Sequence, residues 1–364
     1  MIKRLNLGIL VPVVILIAIG WVLILSASSY AQAALLGDQY YIVRQQTRFI
    51  AIGAVAMIVT YIIPYRFYNK GILVFLLALL AFVLMALVPF IGVEVGGAKR
   101  WLAITESFRF MPVDIAKVAI IFVLSFTLSH FNANKRKIIN LMIHLLFPLL
   151  IFGLTAYQPD FSSAITIAGI TYAILFVGFN GTPLIVGLGA AGLFGLTAIA
   201  TIAPYRIKRI TEFIDGMKDI NLANDQIRYG VLAISSGGLF GVGAGRSVFN
   251  KRYIPEPHND MIVTTLGEEY GLLGMLVVIL LFFILIYNIF NLALRVKDPF
   301  ARHLSIGIGM IIFVQFMVNV GQTLAILPAT GLTLPFISAG GTNLVIMMTL
   351  VGVLLSVSRV AEQS

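Results

Sequence analysis

Residues 271–294 read GLLGMLVVILLFFILIYNIFNLAL, a run without a charged side chain. As an α-helix rising 1.5 Å per residue, it is long enough to cross the roughly 30 Å hydrocarbon layer of a bilayer. Comparable runs lie near 8–28, 46–66, 71–92, 112–130, 138–157, 161–179, 183–204, 304–326 and 341–358. The recurrence predicts an all-α polytopic membrane protein with about ten transmembrane helices.

Composition points the same way. Of 364 residues, 60% are hydrophobic and 11% charged, and the mean hydropathy is +1.01. A water-soluble domain keeps about a quarter of its residues charged, which excludes a soluble enzyme. The chain has no cysteine, so disulfides, thiolate ligands and thiol nucleophiles are also excluded. The N-terminus, MIKRLNLGILVPVVILIAIGWVLILSASSYAQAA, resembles a signal peptide in its Lys3, Arg4 and small residues around Ala31 and Ala33. Its apolar part is too long for a secretory core, and an uncleaved first membrane helix is expected.

With Lys3 and Arg4 inside, the inner connections carry Arg66, Lys70, Lys135, Arg136, Lys137, Arg295, Lys297, Arg302 and Arg359, against only Asp298 and Glu362. This is the bias of the positive-inside rule, and an even number of spans leaves both termini in the cytoplasm. The net charge of +10 is then explained by helix orientation and anionic membrane lipids, without nucleic acid as a partner.

The outer side collects most of the acids together with Arg44, Arg48, Lys99, Arg100, Arg109, Arg246, Lys251 and Arg252. One outer connection, about 205–270 between the seventh and eighth predicted helices, is far longer than the rest. Interleaved apolar residues suggest that it folds back onto the membrane part, so residues 1–364 are read as a single domain. It ends in IPEPHNDMIVTTLGEEYGLLG, residues 254–274, which sets Asp260, Glu268 and Glu269 beside or below a bilayer surface. A carboxylate there is costly unless it pairs, lines a wet cavity or does chemistry.

Other polar patterns admit two readings each. The glycines of SSGGLFGVGAGRS, 235–247, form either a closely packed turn or a backbone approach to phosphate beside Arg246 and Lys251; they lack the P-loop Lys-Ser/Thr. In GGAKRWLAITESFRFMPVDIAK, 96–117, Pro112 starts a helix that sets Asp114 and Lys117 at i, i+3. That pair is either a structural ion pair or, with Arg100, a positive surface for an anionic head group. Asp160 in the QPD of 158–160 suits a helix cap. NVGQTLAILPATGLTLPFISAGGTN, 319–343, is a helix broken by Pro328, Gly331, Pro335, Gly340 and Gly341, as tolerated where backbone lines a cavity. His258 stands two residues before Asp260 without metal-ligand spacing to another histidine.

Four separated stretches, GGAKRW…MPVDIAK, QPDFSSA, AISSGGLFGVGAG…YIPEPHNDMI…GEEYGLLG and LPATGLTLPFISAGG, resemble in order those of the SEDS family, the group of RodA, FtsW and SpoVE. The resemblance implies a peptidoglycan glycosyltransferase that polymerises lipid II at the outer face of the bacterial inner membrane, multi-pass, for elongation, division or sporulation. It implies that Asp260 is the catalytic carboxylate, acting as a base, and that a class B penicillin-binding protein, a transpeptidase, is the partner. Arg48, Arg100, Lys117, Arg246 and Lys251 are expected to bind substrate or diphosphate, supported by Trp101, Asp114, Asp160, Glu256, His258 and Ser338. A divalent ion, Mg or Mn, is an admissible electrophilic partner, while nucleotide, haem and flavin are not expected. Glu268 and Glu269 are expected to fix the following helix rather than react.

The chain departs from the family pattern in four places, one of them a spacing after Arg100-Trp101 that is one residue longer. Met111-Pro112-Val113-Asp114 replaces the usual Gln-Pro-Ser-Glu, Gln226-Ile227-Arg228-Tyr229-Gly230 the usual Gln-x-x-Gln-Ser, and Ser338-Ala339-Gly340-Gly341 the usual Ser-Tyr-Gly-Gly. RIKRITEFID and GLTLPF lean towards the FtsW and SpoVE branch. Two rival readings are a lipid-linked precursor flippase and a non-catalytic scaffold for a transpeptidase. The first predicts a path to both faces, and the second gives Asp260 no task.

Overall fold

The computed structural model describes residues 5–36, 38–95, 98–105, 108–131, 137–179, 182–202 and 204–361. The helices begin with α1 (Leu7–Leu36), α2 (Tyr41–Ile62), the short α3 (Tyr65–Tyr68) and α4 (Gly71–Ile91). After a three-stranded segment come α5 (Pro112–His130), α6 (Lys137–Tyr157), α7 (Phe161–Gly178) and α8 (Thr182–Ile202). The long connection holds α9 (Pro204–Lys218), α10 (Asp225–Gly237) and α11 (Phe249–Arg252). The chain closes with α12 (Ile262–Arg295), α13 (Pro299–Thr323) and α14 (Thr342–Ala361).

Among the described residues, nine of these helices are long and apolar enough to cross a membrane. The expected segment 183–204 is the helix α8, 21 residues long. Helix starts follow local chemistry. Pro112 and Pro299 occupy first-turn positions whose N–H would be unpaired in any case, and Asp298 accepts from the Phe300 N–H at 3.0 Å.

Helices α5, α13 and α14 are the most buried of the spans, and α2 and α4 the least. Helix α14 lies along α2 at close range, because Gly53 and Gly352 leave room for Met348 and for the Met57 backbone with the Thr60 hydroxyl. Thr60 Oγ1 donates across this seam to Thr349 O at 3.0 Å. At one end of the bundle Ser356 donates to Ile63 O at 2.7 Å and Arg359 to Tyr61 O at 3.0 Å. Asp298 lies beside Tyr65 and Arg66 at that same end, so the inner basic connections share it. Lys3, Arg4, Lys135, Arg136 and Glu362 lie outside the described residues.

Two features were not visible in the apolar pattern. Between α4 and α5 the chain forms an antiparallel meander, β1 (Val93–Val95), β2 (Ala98–Thr105) and β3 (Phe108–Phe110), in spatial order β1-β2-β3. Helix α12 starts at Ile262, ahead of the expected 271, and is broken at Gly271 with φ 65° and ψ −164°.

The break explains the glycine run. The Val242 and Gly243 N–H groups donate to the Glu268 and Glu269 carbonyls at 2.9 and 3.1 Å, and the Leu272 N–H donates to Gly238 O at 2.9 Å. A Cβ on Gly237, Gly241 or Gly271 would overlap the facing backbone. The Gly241, Val242 and Gly243 N–H groups are therefore engaged in backbone packing, with Gly241 N–H bound to Gly237 O at 2.8 Å, and are not free to meet a phosphate.

Gly237→Ala should therefore destabilise the detergent-solubilised protein by about 1–3 kcal/mol, read as a lowered melting temperature. Gly187→Ala in α8, where an added Cβ meets nothing within 4 Å, should be neutral or slightly stabilising. Equal melting shifts for the two variants would overturn the packing account.

Candidate active site

Asp260 lies at the end of the turn that leads from α11 into α12, and its main chain is held by α13. Asn319 Nδ2 and Gln322 Nε2, three residues apart on that helix, donate to the Asp260 carbonyl at 2.8 and 3.0 Å. The same two amides secure the broken segment after α13. Asn319 Nδ2 also donates to Leu332 O at 2.6 Å. Gln322 Oε1 accepts from Thr330 N–H at 2.7 Å, Thr330 Oγ1 at 2.6 Å and Gly331 N–H at 3.3 Å.

From α10, Gln226 Nε2 donates to Asp260 Oδ2 at 3.3 Å. Burial pushes the Asp260 carboxyl above the usual aspartate range, and Glu256 adds to the rise; Gln226, the local backbone and Arg209 oppose it. Glu256 itself adopts φ 43° and accepts from Asn259 Nδ2 at 2.8 Å. Burial also lowers the His258 pKa, against the pull of Glu256, and favours the neutral ring.

The carboxyl opens on a cavity of about 540 Å³. Its lining brings together Arg100 and Trp101 from β2, Asp114 and Lys117 from α5, Asp160 from the start of α7, and Glu256 with Asp260. The Asp114–Lys117 pair forms despite the altered motif, with Nζ donating to Oδ1 at 3.0 Å in a buried setting. Asp160 is the cap of α7, accepting from Ser163 N–H at 3.1 Å; its buried Oδ2 has no hydrogen-bond partner among the described residues. Arg100 Nη2 donates to Pro159 O, while its buried Nε is unpartnered among the described residues.

Other expected residues lie elsewhere. Lys251 and His258 line a second cavity, about 610 Å³, which shares Gln45, Phe49, Glu256 and Asn259 with the first. Lys251 Nζ also donates to Gly245 O at 2.6 Å. Arg48 on α2 and Arg246 in the glycine loop are exposed and line neither cavity. Ser338 is buried in a turn, its Oγ accepting from Leu334 N–H at 2.9 Å. Glu268 is structural, because its carboxylate accepts from Val248 N–H at 2.7 Å, Phe249 N–H at 3.2 Å and the Ser247 hydroxyl. Glu269 accepts from Ser26 Oγ at 2.5 Å, which ties α12 to α1.

Sequence reasoning missed Asn319, Gln322 and Gln315, and it saw Gln226 only within a family motif and Arg109 only as an outer charge. Arg109 and Gln315 line the first cavity. The available signal was an Asn and a Gln at helical i, i+3 spacing inside an apolar run. Among the described residues, no group of three or more His, Asp and Glu side chains gathers as a metal site would.

The profile of the family that takes in FtsW, RodA and SpoVE, described as Cell cycle protein, matches residues 7–363. Stage V sporulation protein E of Bacillus subtilis is 33% identical over 362 residues, 97% of each chain. A probable peptidoglycan glycosyltransferase FtsW of Geobacter sp. strain M18 is 32% identical over 351 residues, 96% of this chain and 95% of that one. The fold matches rod shape determining protein RodA of Thermus thermophilus with a TM-score of 0.73 at 24% identity, covering 99% of both chains. A chain from a peptidoglycan synthase complex that coordinates polymerization and crosslinking matches with a TM-score of 0.79 at 25% identity, again over 99% of both. With its apolar spans, its motif order and these likenesses, this multi-pass membrane protein belongs to the SEDS family of FtsW, RodA and SpoVE.

Proposed function

We propose that this protein is a peptidoglycan glycosyltransferase that polymerises lipid II at the outer face of the bacterial inner membrane, with Asp260 as its general base. The observation that carries the reading is a buried carboxyl with a raised pKa facing a cavity that also holds Lys117, Arg100 and Arg109. A base works best when its pKa lies near the working pH, and burial moves Asp260 in that direction.

In this reaction the acceptor sugar's 4-hydroxyl gives its proton to Asp260 as its oxygen attacks the anomeric carbon of the donor. The bond from that carbon to the diphosphate breaks, and the lipid diphosphate leaves as an anion without needing a proton. Its growing charge is met by Lys117 and Arg100, joined by Arg109. Arg48 and Arg246 line neither cavity and are assigned no part in the chemical step, while Lys251 lines the neighbouring cavity. The basic connections at the opposite end of the bundle support cytoplasmic termini. A transpeptidase of the class B penicillin-binding type is the partner, a reading supported by the match to a synthase complex that couples polymerization with crosslinking.

Purified protein given labelled lipid II, with and without the cognate transpeptidase, should form glycan. Asp260→Asn, which preserves shape, should lose about 10²–10⁴-fold in rate. Normal polymerisation by a folded Asp260→Asn variant would remove the base assignment, and no glycan from wild type under either condition would favour the flippase or scaffold reading.

The pH dependence has a definite sign. Log kcat/KM should rise as Asp260 ionises, on an acid limb above the ordinary aspartate value of 3.8, and the limb should vanish in the Asn variant. A carboxyl whose folded pKa is raised contributes stability at low pH that is lost as pH climbs through that pKa. Asp260→Asn should therefore melt no lower than wild type at neutral pH.

Lys117→Met leaves Asp114 buried without its cation and should cost about 3–5 kcal/mol of stability. The Asp114→Asn/Lys117→Met double variant should recover most of that stability and still polymerise poorly. Full activity in the double variant would reduce the pair to a structural role.

A further inference from the structure

We infer that a separate, apolar pocket behind Arg100 receives the diphosphate-proximal part of the donor's polyprenyl chain, and that Arg209 on α9 binds the diphosphate together with Arg100. The inference rests on the proposed glycosyl transfer and adds a residue and a direction to it.

The pocket, about 170 Å³, lies between α7, α9, α13 and the loop 327–330. Phe161, Ile165, Ile210, Val318, Leu327 and Pro328 supply apolar walls. Its boundary with the central cavity is formed by Arg100, Ser162 and Thr330, which line both. A polar chamber thus adjoins an apolar one across Arg100 and the Ser162 hydroxyl's hydrogen bond to Thr330 O, and Arg209 lines the apolar chamber. That order of surfaces matches a diphosphate ester on a hydrocarbon chain, since a free sugar or inorganic diphosphate would gain nothing from the apolar walls.

Arg209 has donors to give. Among the described residues, its one hydrogen bond is from Nη1 to Ala329 O at 3.3 Å, the long end of the useful range. The remaining N–H groups of the guanidinium fork suit a phosphate oxygen pair. Its charge also reaches Asp260, so the residue is electrically part of the central cavity while lining its apolar neighbour. Helix α9 continues the apolar path outward, because Ile207, Ile214 and Met217 are exposed on it and Ile326 is exposed on the adjoining loop. The chain beyond its first isoprene units has an apolar rim along which to leave the pocket.

The assignment gives the reaction a direction. The leaving diphosphate departs towards α7 and α9, and the acceptor approaches from the second cavity across Glu256 and Asn259. Asp260 then stands between them, on the acceptor's side of the bond being made.

Binding of undecaprenyl diphosphate to the full-length protein in detergent, read apart from turnover, tests this. Inorganic diphosphate and uncharged undecaprenol serve as the separate halves of the ligand. Wild type should bind the ester more tightly than either half. Arg209→Ala should weaken the ester about tenfold, as expected for loss of a charge-assisted contact, and Arg209→Lys should restore part of the loss. Ile165→Trp, which fills the pocket, should weaken the ester and leave inorganic diphosphate unchanged. Equal binding of the ester by wild type, Arg209→Ala and Ile165→Trp would overturn the inference, as would inorganic diphosphate binding as tightly as the ester. Glycan synthesis by wild type together with unaltered binding in the variants would sink this site and spare the proposed reaction. Absence of synthesis with the predicted binding losses would sink the reaction and spare the site.

Discussion

The double grip of Asn319 and Gln322 on the Asp260 carbonyl is the contact on which the site depends. Irregular backbone in a lipid-embedded protein must find partners inside the protein, because the bilayer supplies none. Here the turn carrying Asp260 and the segment around Thr330–Leu332 are both irregular, and both draw on the same two side chains. The amides are buried on α13, one of the most enclosed helices of the bundle. The proposed base is thereby referenced to one of the most enclosed helices of the fold and not to the surface loop that contains it.

A second constraint is electrostatic. The central cavity mixes the cations Lys117, Arg100 and Arg109 with the carboxyls Asp114, Asp160, Glu256 and Asp260. Several of these acids already have structural work: Asp114 pairs with Lys117, Asp160 caps α7, and Glu256 holds Asn259. Asp260 has no such partner: its side chain accepts a long amide contact from Gln226 and a contact from its own backbone. Burial without a close cation leaves its proton affinity high, which suits a proton acceptor better than an anchor.

The glycine-rich loop shows a close-packing role in a motif that also admits a phosphate reading. Its spacing is compatible with a phosphate cradle, yet the loop exists so that two backbones can touch at the Gly271 break of α12. Glycine is required at 237 and 241 because a side chain there would occupy the space of the facing carbonyls. Glu268 completes the arrangement by receiving the amides at the start of α11, so the acids singled out beside Asp260 hold the loop in place.

Much of this was legible in the residues themselves. Apolar runs of bilayer length reveal the spans, because each helix must satisfy its own backbone in lipid, and QPD at 158–160 announces a cap because that chemistry is local. The meander of 93–110 was not legible, since short strands without regular alternation leave no periodic trace. Nor was the sorting of the cations: Arg48, Arg100, Arg109 and Arg246 look alike in a linear string. Only the folded arrangement sets Arg100 and Arg109 on the Asp260 cavity, Arg209 on its apolar neighbour, and Arg48 and Arg246 at exposed positions. The sequence by itself determined the membrane class and the unusual acid, because hydropathy and turn chemistry act over a few residues. Tertiary structure alone decided which charges face that acid, because those distances depend on helices that meet across the whole length of the chain.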